Sequence, residues 1–179
     1  MKRFGLSAFT LGMLLMSGKS ALAQRSVHLG LAGGAAIPAG KLDSTYSTGP
    51  SGLATLAFGS QDTPIGLRLD YQYAGFNGRT VGGSVIPDMH MSAITANLVV
   101  AFRVGYAKPY IMGGGGLYPF RAAGATKSEN DWGANGGVGV GFPLPYTTIG
   151  GFIEARYHDV NRSNTSSYHF VPITLGIMF

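Results

Sequence analysis

Cysteine is absent from the 179-residue chain, which excludes structural disulfides, cysteine nucleophiles and thiolate metal sites. Charge is sparse, at 12% of residues, and no dense basic run is present to grip a nucleic-acid backbone. Beyond residue 23 no apolar stretch is long enough to cross a membrane as a helix, because Gly, Pro and polar residues break each candidate. The glycine runs Gly113 to Gly116 and Gly137-Val138-Gly139-Val140-Gly141 lack the closing Lys and Ser or Thr of a phosphate loop. His28, His90, His158 and His169 have no metal-ligand spacing, and Asp70 and Glu154 do not by themselves define a hydrolase. No catalytic residue, metal or cofactor is therefore assigned.

What is present begins with a leader. Met1-Lys2-Arg3 is followed by a mostly apolar stretch from Phe4 to Met16 and by Ala21-Leu22-Ala23, a small-x-small cleavage pattern. The stretch is short for a spanning helix, so residues 1–23 are expected to be a cleaved signal peptide and 24–179 the mature domain. Removing Lys2, Arg3 and Lys19 from the 13 basic residues reduces the formal charge from +5 to +2.

Glycine is abundant, at 29 residues, while 45% of the chain is hydrophobic. Both a soluble β-protein and a membrane barrel fit that composition, so periodicity has to decide. Eight extended segments are expected at 26–37, 50–59, 65–76, 91–102, 107–117, 132–142, 149–159 and 168–179, most of them near the roughly 9 to 11 residues a tilted transmembrane strand needs. In the third, Ile65, Leu67, Leu69, Tyr71 and Tyr73 alternate with Gly66, Arg68, Asp70, Gln72 and Ala74, which puts the two sets on opposite faces. The seventh opposes Ile153, Ala155 and Tyr157 to Glu154, Arg156 and His158, and the fourth opposes Ile94, Ala96 and Leu98 to Thr95 and Asn97.

In a membrane barrel the apolar face meets lipid, so Arg68, Asp70, Gln72, Asn97, Glu154 and Arg156 are expected to form an interior polar network. Glycines opposite Trp132, Val138 and Val140 would leave room inside a narrow barrel for long side chains, and the Gly113 to Gly116 run reads equally well as a bulged strand. Tyr71, Tyr73, Phe102, Tyr106, Trp132, Phe142 and Tyr157 suit membrane interfaces. Connections alternate in length. Those at 60–64, 103–106 and 143–148 are short, and those at 39–49, 77–90, 118–131 and 160–167 are long, with polar loop segments at Lys41 to Tyr46 and Arg162 to Ser167.

The last segment carries the more specific signal. Val171, Ile173, Leu175 and Ile177 alternate toward a terminal Phe179, and this resembles the terminal recognition segment of outer-membrane barrel proteins. With the leader and the eight alternating segments, the stretch from Gln24 to Phe179 resembles the small OmpA-like outer-membrane β-barrel family. That resemblance implies an all-β fold, an eight-stranded antiparallel transmembrane barrel in a bacterial outer membrane. It also implies Ile173, Leu175, Ile177 and Phe179 as an assembly signal, with outer-membrane lipids, the assembly machinery and an unidentified surface ligand as partners. Pro172 departs from the pattern and is expected near the strand's start or an edge.

A structural or surface-interaction role follows from that reading. Two alternatives stand beside it. A secreted lipocalin-like barrel would turn its apolar face inward and leave Arg68, Asp70 and Gln72 in water. A lipid-modifying barrel enzyme would need a nucleophile and a base. Ser167 and His169 share a face near a strand end, but no third residue is assigned.

Overall fold

The computed structural model describes residues 26–59, 64–122, 129–161 and 167–179; the leader and its cleavage pattern lie outside the described residues, as does the Arg162 to Ser167 loop except for Ser167. Alternating side chains produce ten strands: β1 (Ser26–Ala39), β2 (Tyr46–Gly59), β3 (Ile65–Gly78), β4 (Thr80–Val81), β5 (Ser84–Val85), β6 (Met89–Ala101), β7 (Lys108–Ala122), β8 (Glu129–Pro143), β9 (Gly150–Asn161) and β10 (Tyr168–Met178). Eight of them close into one antiparallel barrel in the order β1-β10-β9-β8-β7-β6-β3-β2. β4 and β5 form a separate ladder joined through Gly82 and Gly83, whose positive φ angles of 59° and 82° suit a tight hairpin turn.

Closure depends on β1, which pairs with β2 on one side and with β10 on the other. The Phe179 N–H donates to Leu29 O at 2.8 Å, and His28 Nδ1 lies 3.1 Å from Phe179 O. Both described chain ends therefore meet at one seam and at one end of the barrel.

The strands overrun the expected segments at the opposite end. β2 starts at Tyr46 rather than 50, β7 runs to Ala122 rather than 117, and β8 starts at Glu129 rather than 132. The cause is physical: apolar alternation marks only the part of a strand that faces lipid, whereas ladder pairing continues beyond it, where outward residues such as Asn77, Asn130 and Asp159 are polar. The loop read as Lys41 to Tyr46 is likewise shorter than expected. Its Gly40–Leu42 3-10 turn sends Leu42 into the barrel mouth, where it is buried.

Pro172 also departs from expectation. It sits inside β10, opposite Ala36 of β1, and the ladder to β9 is interrupted between Phe170 and Ile173 without a change of register. The missing N–H thus costs one local break rather than the strand. Gly113 to Gly116 stay in register with both neighbouring strands, so they form no bulge.

Exposure divides the wall in two. Across the middle of every barrel strand the outward residues are mostly apolar, among them Leu29, Leu56, Leu67, Ile94, Ile111, Val138, Ile153 and Leu175. On β3 the belt from Ile65 to Tyr73, at about 3.4 Å per residue and a tilt of about 40°, covers about 20 Å of thickness. Tyr71, Trp132 and Tyr157 border it toward the long-loop end, and Phe102, Phe142 and Phe179 toward the seam end. A water-facing barrel would invert this division, so the lipocalin-like alternative fails.

Candidate functional site

The inner face of β3 carries Arg68, Asp70 and Gln72, and that of β9 carries Glu154, Arg156 and His158; all six are buried. Strand alternation fixes the direction of each side chain, and the small diameter of an eight-stranded tube brings side chains from distant strands within reach of one another.

Four of these residues form a closed ring of alternating charge. Arg68 Nη1 donates to Glu154 Oε2 at 2.6 Å and Arg68 Nη2 to Asp70 Oδ1 at 3.2 Å. Arg156 Nη1 donates to Asp70 Oδ2 at 2.9 Å, and Arg156 Nε closes the ring on Glu154 Oε1. Two positive and two negative groups cancel, and charge-assisted bonds offset the desolvation each group suffers.

Neutral residues complete the shell. Asn97 Nδ2 donates to Asp70 Oδ2 at 2.7 Å and to Thr95 Oγ1 at 2.9 Å, Arg68 Nε to Thr55 Oγ1 at 3.1 Å, and the Tyr110 hydroxyl to Glu154 Oε2 at 2.6 Å. Gln72 stands apart. Its amide donates to Ser51 Oγ at 2.6 Å and to Gly52 O at 3.1 Å, so it joins β2 to β3 rather than entering the ring. Thr55 and Tyr110 are not singled out by the sequence, and Thr95 is placed there on the face of Asn97 but outside the expected network. Their parity on β2, β6 and β7 was the available signal.

Glycine makes the ring fit. A Cβ at Gly137 would lie 2.8 Å from Arg156 Cγ, and one at Gly133 would lie 2.6 Å from the Tyr118 ring. These inner-face glycines of β8 are beds for side chains from β9 and β7, which is why the wall is bare where the interior is crowded.

Toward the long-loop end the interior turns apolar. Phe76, Met89, Met91, Tyr118, Val160, Phe170 and Leu42 form one buried cluster. His158 links the cluster to the ring: its imidazole stacks on Phe170 at 4.6 Å, and its Nδ1 lies 2.9 Å from the Tyr118 hydroxyl. Tyr118, expected in a connection, is instead a fully buried interior residue of β7. Toward the seam end, Met112, Phe152 and Thr174 are buried below the ring.

The remaining sequence-level candidates lie elsewhere. Ile173, Leu175, Ile177 and Phe179 line the outer face of the last strand. His169 stacks on Tyr157 at 5.7 Å, and its Nδ1 lies 3.4 Å from Asp159 on the outer wall, so its imidazole is engaged with β9 residues. His90 lies outside against Tyr73, at 2.8 Å from its hydroxyl, and His28 sits at the seam. The four histidines therefore occupy four separate places.

The eight-stranded closed barrel has counterparts among solved structures. Neisserial surface protein A matches with a TM-score of 0.62 at 14% identity, over 86% of this chain and 97% of that one. The chain has the fold of the small outer-membrane β-barrels. The outer membrane protein OprG of Pseudomonas aeruginosa (TM-score 0.52, 14% identity, 87% and 97% coverage) and the Yersinia pestis outer membrane protein Ail in a phospholipid bilayer nanodisc (0.51, 16%, 86% and 100%) share it. At these identities the likeness is one of fold. No family model and no curated relative matches the chain.

Proposed function

We propose that this outer-membrane-type barrel is a closed scaffold that holds surface loops at the end opposite its termini, and that its role is structural or one of surface contact rather than general diffusion. The observation that carries this reading is the filling of the tube at three levels: buried Met112 and Phe152, the Arg68–Asp70–Arg156–Glu154 ring, and the apolar cluster closed by Leu42. The proposal includes cleavage of residues 1–23, residence of 24–179 in a bacterial outer membrane, the interior polar residues as plug, and Ile173, Leu175, Ile177 and Phe179 as the segment read during assembly.

Loop architecture supports the scaffold reading. Arg79 Nη1 donates to Asp43 O at 2.8 Å and the Arg79 N–H to Thr45 O at 3.0 Å, which ties the first two loops together above the mouth, while the Gly78 N–H donates to Asp88 Oδ1 at 2.9 Å within the second loop. The decisive test is conductance of the purified barrel in a planar bilayer. Absent or rare small openings are expected, and a stable, large open state would overturn the closed-scaffold reading.

A further inference from the structure

We propose that the outer wall of the barrel carries a site for one anionic phospholipid of the inner leaflet, with its phosphate at Arg103 and Lys108 and an acyl chain in the groove above them. The inference rests on the proposed outer-membrane residence, with the seam end at the inner leaflet.

The groove has a volume of about 440 Å³ and lies on the apolar outer face of β7, β8, β9 and β10. Two cross-strand rows form it. Phe102, Pro109, Val140 and Ile153 follow one another from strand to strand in the lower row, and the upper row ends on Ala155 and its β10 partner Ile173. Ala155 stands between the half-exposed Ile153 and Tyr157 on β9, so its short side chain leaves a dip in the wall.

The groove climbs from the rim. Phe102 sits beside the turn that joins β6 to β7, while Ile173 lies half-way along β10. A cross-strand row over four strand spacings covers about 19 Å, and at a strand tilt of about 40° it rises about 12 Å. One leaflet offers about 15 Å of hydrocarbon, so a groove of this rise takes an acyl chain whose headgroup stays at the rim.

Charge selects the headgroup. Val104 and Ala107 bridge across the turn, which sets Arg103 opposite Lys108, and both are exposed. Like charges directly opposite are unfavourable, and among the described residues no ion pair offsets either one. The other short connections, 60–64 and 143–148, hold no basic residue, so the basic turn and the foot of the groove coincide at one place. Tyr106, 90% exposed at the turn, adds a ring suited to the headgroup layer. A phosphodiester accepts from both cations, and the guanidinium fork matches its paired oxygens. A zwitterionic headgroup would bring an ammonium toward the same two cations, and a second copy of the chain would bring another unpaired basic turn.

The test is native mass spectrometry of the purified barrel released from micelles that hold equal amounts of phosphatidylglycerol and phosphatidylcholine. Wild type is expected to retain one phosphatidylglycerol with a preference of about tenfold, a size that two basic groups near an anionic surface supply. Arg103→Gln combined with Lys108→Gln should bring the preference close to unity. Ala155→Phe, which fills the dip, should cut phosphatidylglycerol retention with the charge still in place. Equal retention of the two lipids by wild type, an unchanged preference in the double variant, or full retention by Ala155→Phe would each overturn the site, as would a dimer in place of the lipid adduct. If a variant does not fold, the wild-type barrel in bicelles with chain-spin-labelled phosphatidylglycerol supplies the second readout. The amide signals of Ala155 and Ile173 should broaden more than those of Leu56 and Leu67 on the far wall, and equal broadening would overturn the site. A stable, large open state in the planar bilayer would break the scaffold proposal and leave the lipid preference in place, so the two failures are distinguishable.

Discussion

Two Arg–Asp ion pairs of nearly equal length sit in this barrel under opposite conditions. Arg68 meets Asp70 at 3.2 Å with both side chains at 5% exposure or less, while Arg79 meets Asp43 at 3.4 Å with side-chain exposures of 45% and 61%. The inner pair is one edge of a ring in which each charge has two opposite neighbours. The outer pair has water as an alternative partner throughout. Length alone therefore says little about what either bond contributes: removing one inner partner strands a charge in a medium that cannot solvate it, whereas removing an outer partner returns the other to water.

The largest effect should come from breaking the ring at its most connected carboxylate. Asp70 accepts from Arg68, Arg156 and Asn97. Asp70→Ala is expected to destabilise the folded barrel by about 3–5 kcal/mol, because two guanidinium groups lose part of their compensation at once. Urea unfolding in micelles, followed by the mobility shift of folded against unfolded barrel on gels, measures this. A loss of under about 1 kcal/mol would show that water reaches the ring and would erase the contrast with the loop pair.

The cap gives an intermediate case, since its filling is apolar and lacks direction. Leu42→Ala is expected to cost about 2–3 kcal/mol, toward the lower end of the range for truncating a buried leucine, because the 3-10 turn carrying it can settle toward the space left behind. Met91→Leu, which nearly conserves volume in the same cluster, should cost less than about 1.5 kcal/mol. The same unfolding assay ranks the two, and an inverted order would mean that Leu42 rests on the mouth rather than plugging it.

How far the sequence could lead follows the same divide between local and distant determinants. Strand existence and facing were legible wherever a segment crosses the apolar belt, as in Ile65 to Tyr73, because period two is a property of the segment itself. Strand ends were not legible, since β2 and β7 continue where no lipid imposes alternation. The residues of the ring could be named by parity on β3 and β9. Which guanidinium meets which carboxylate could not, because Arg68 and Glu154 are 86 positions apart and are brought together by the curvature of the whole wall. Leu42 and Tyr118 were missed for a related reason. One lies in a polar connection and the other beside Pro119, so neither belongs to an alternating run that predicts burial.

The smallest effect is expected at the loop pair. Arg79→Ala removes a half-exposed guanidinium whose contacts to Asp43 are one backbone bond at 2.8 Å and one weak carboxylate contact at 3.4 Å. The Arg79 N–H bond to Thr45 O survives the substitution, so the two loops stay joined through backbone. The expected loss is about 0–1 kcal/mol, with most of it coming from the bond to the Asp43 carbonyl rather than from the ion pair. Salt separates the two environments further. At about 1 M ionic strength the screening length falls to about 3 Å, so whatever coulombic share the loop pair has should vanish, while the stability difference between wild type and Asp70→Ala should hardly change. The measurement is the unfolding midpoint of wild type, Arg79→Ala and Asp70→Ala at low and high salt. If the Asp70→Ala difference shrank with salt as the loop difference does, the ring would be in contact with mobile ions. The tube would then be open along its length, and both the burial argument and the closed-scaffold reading would fail together.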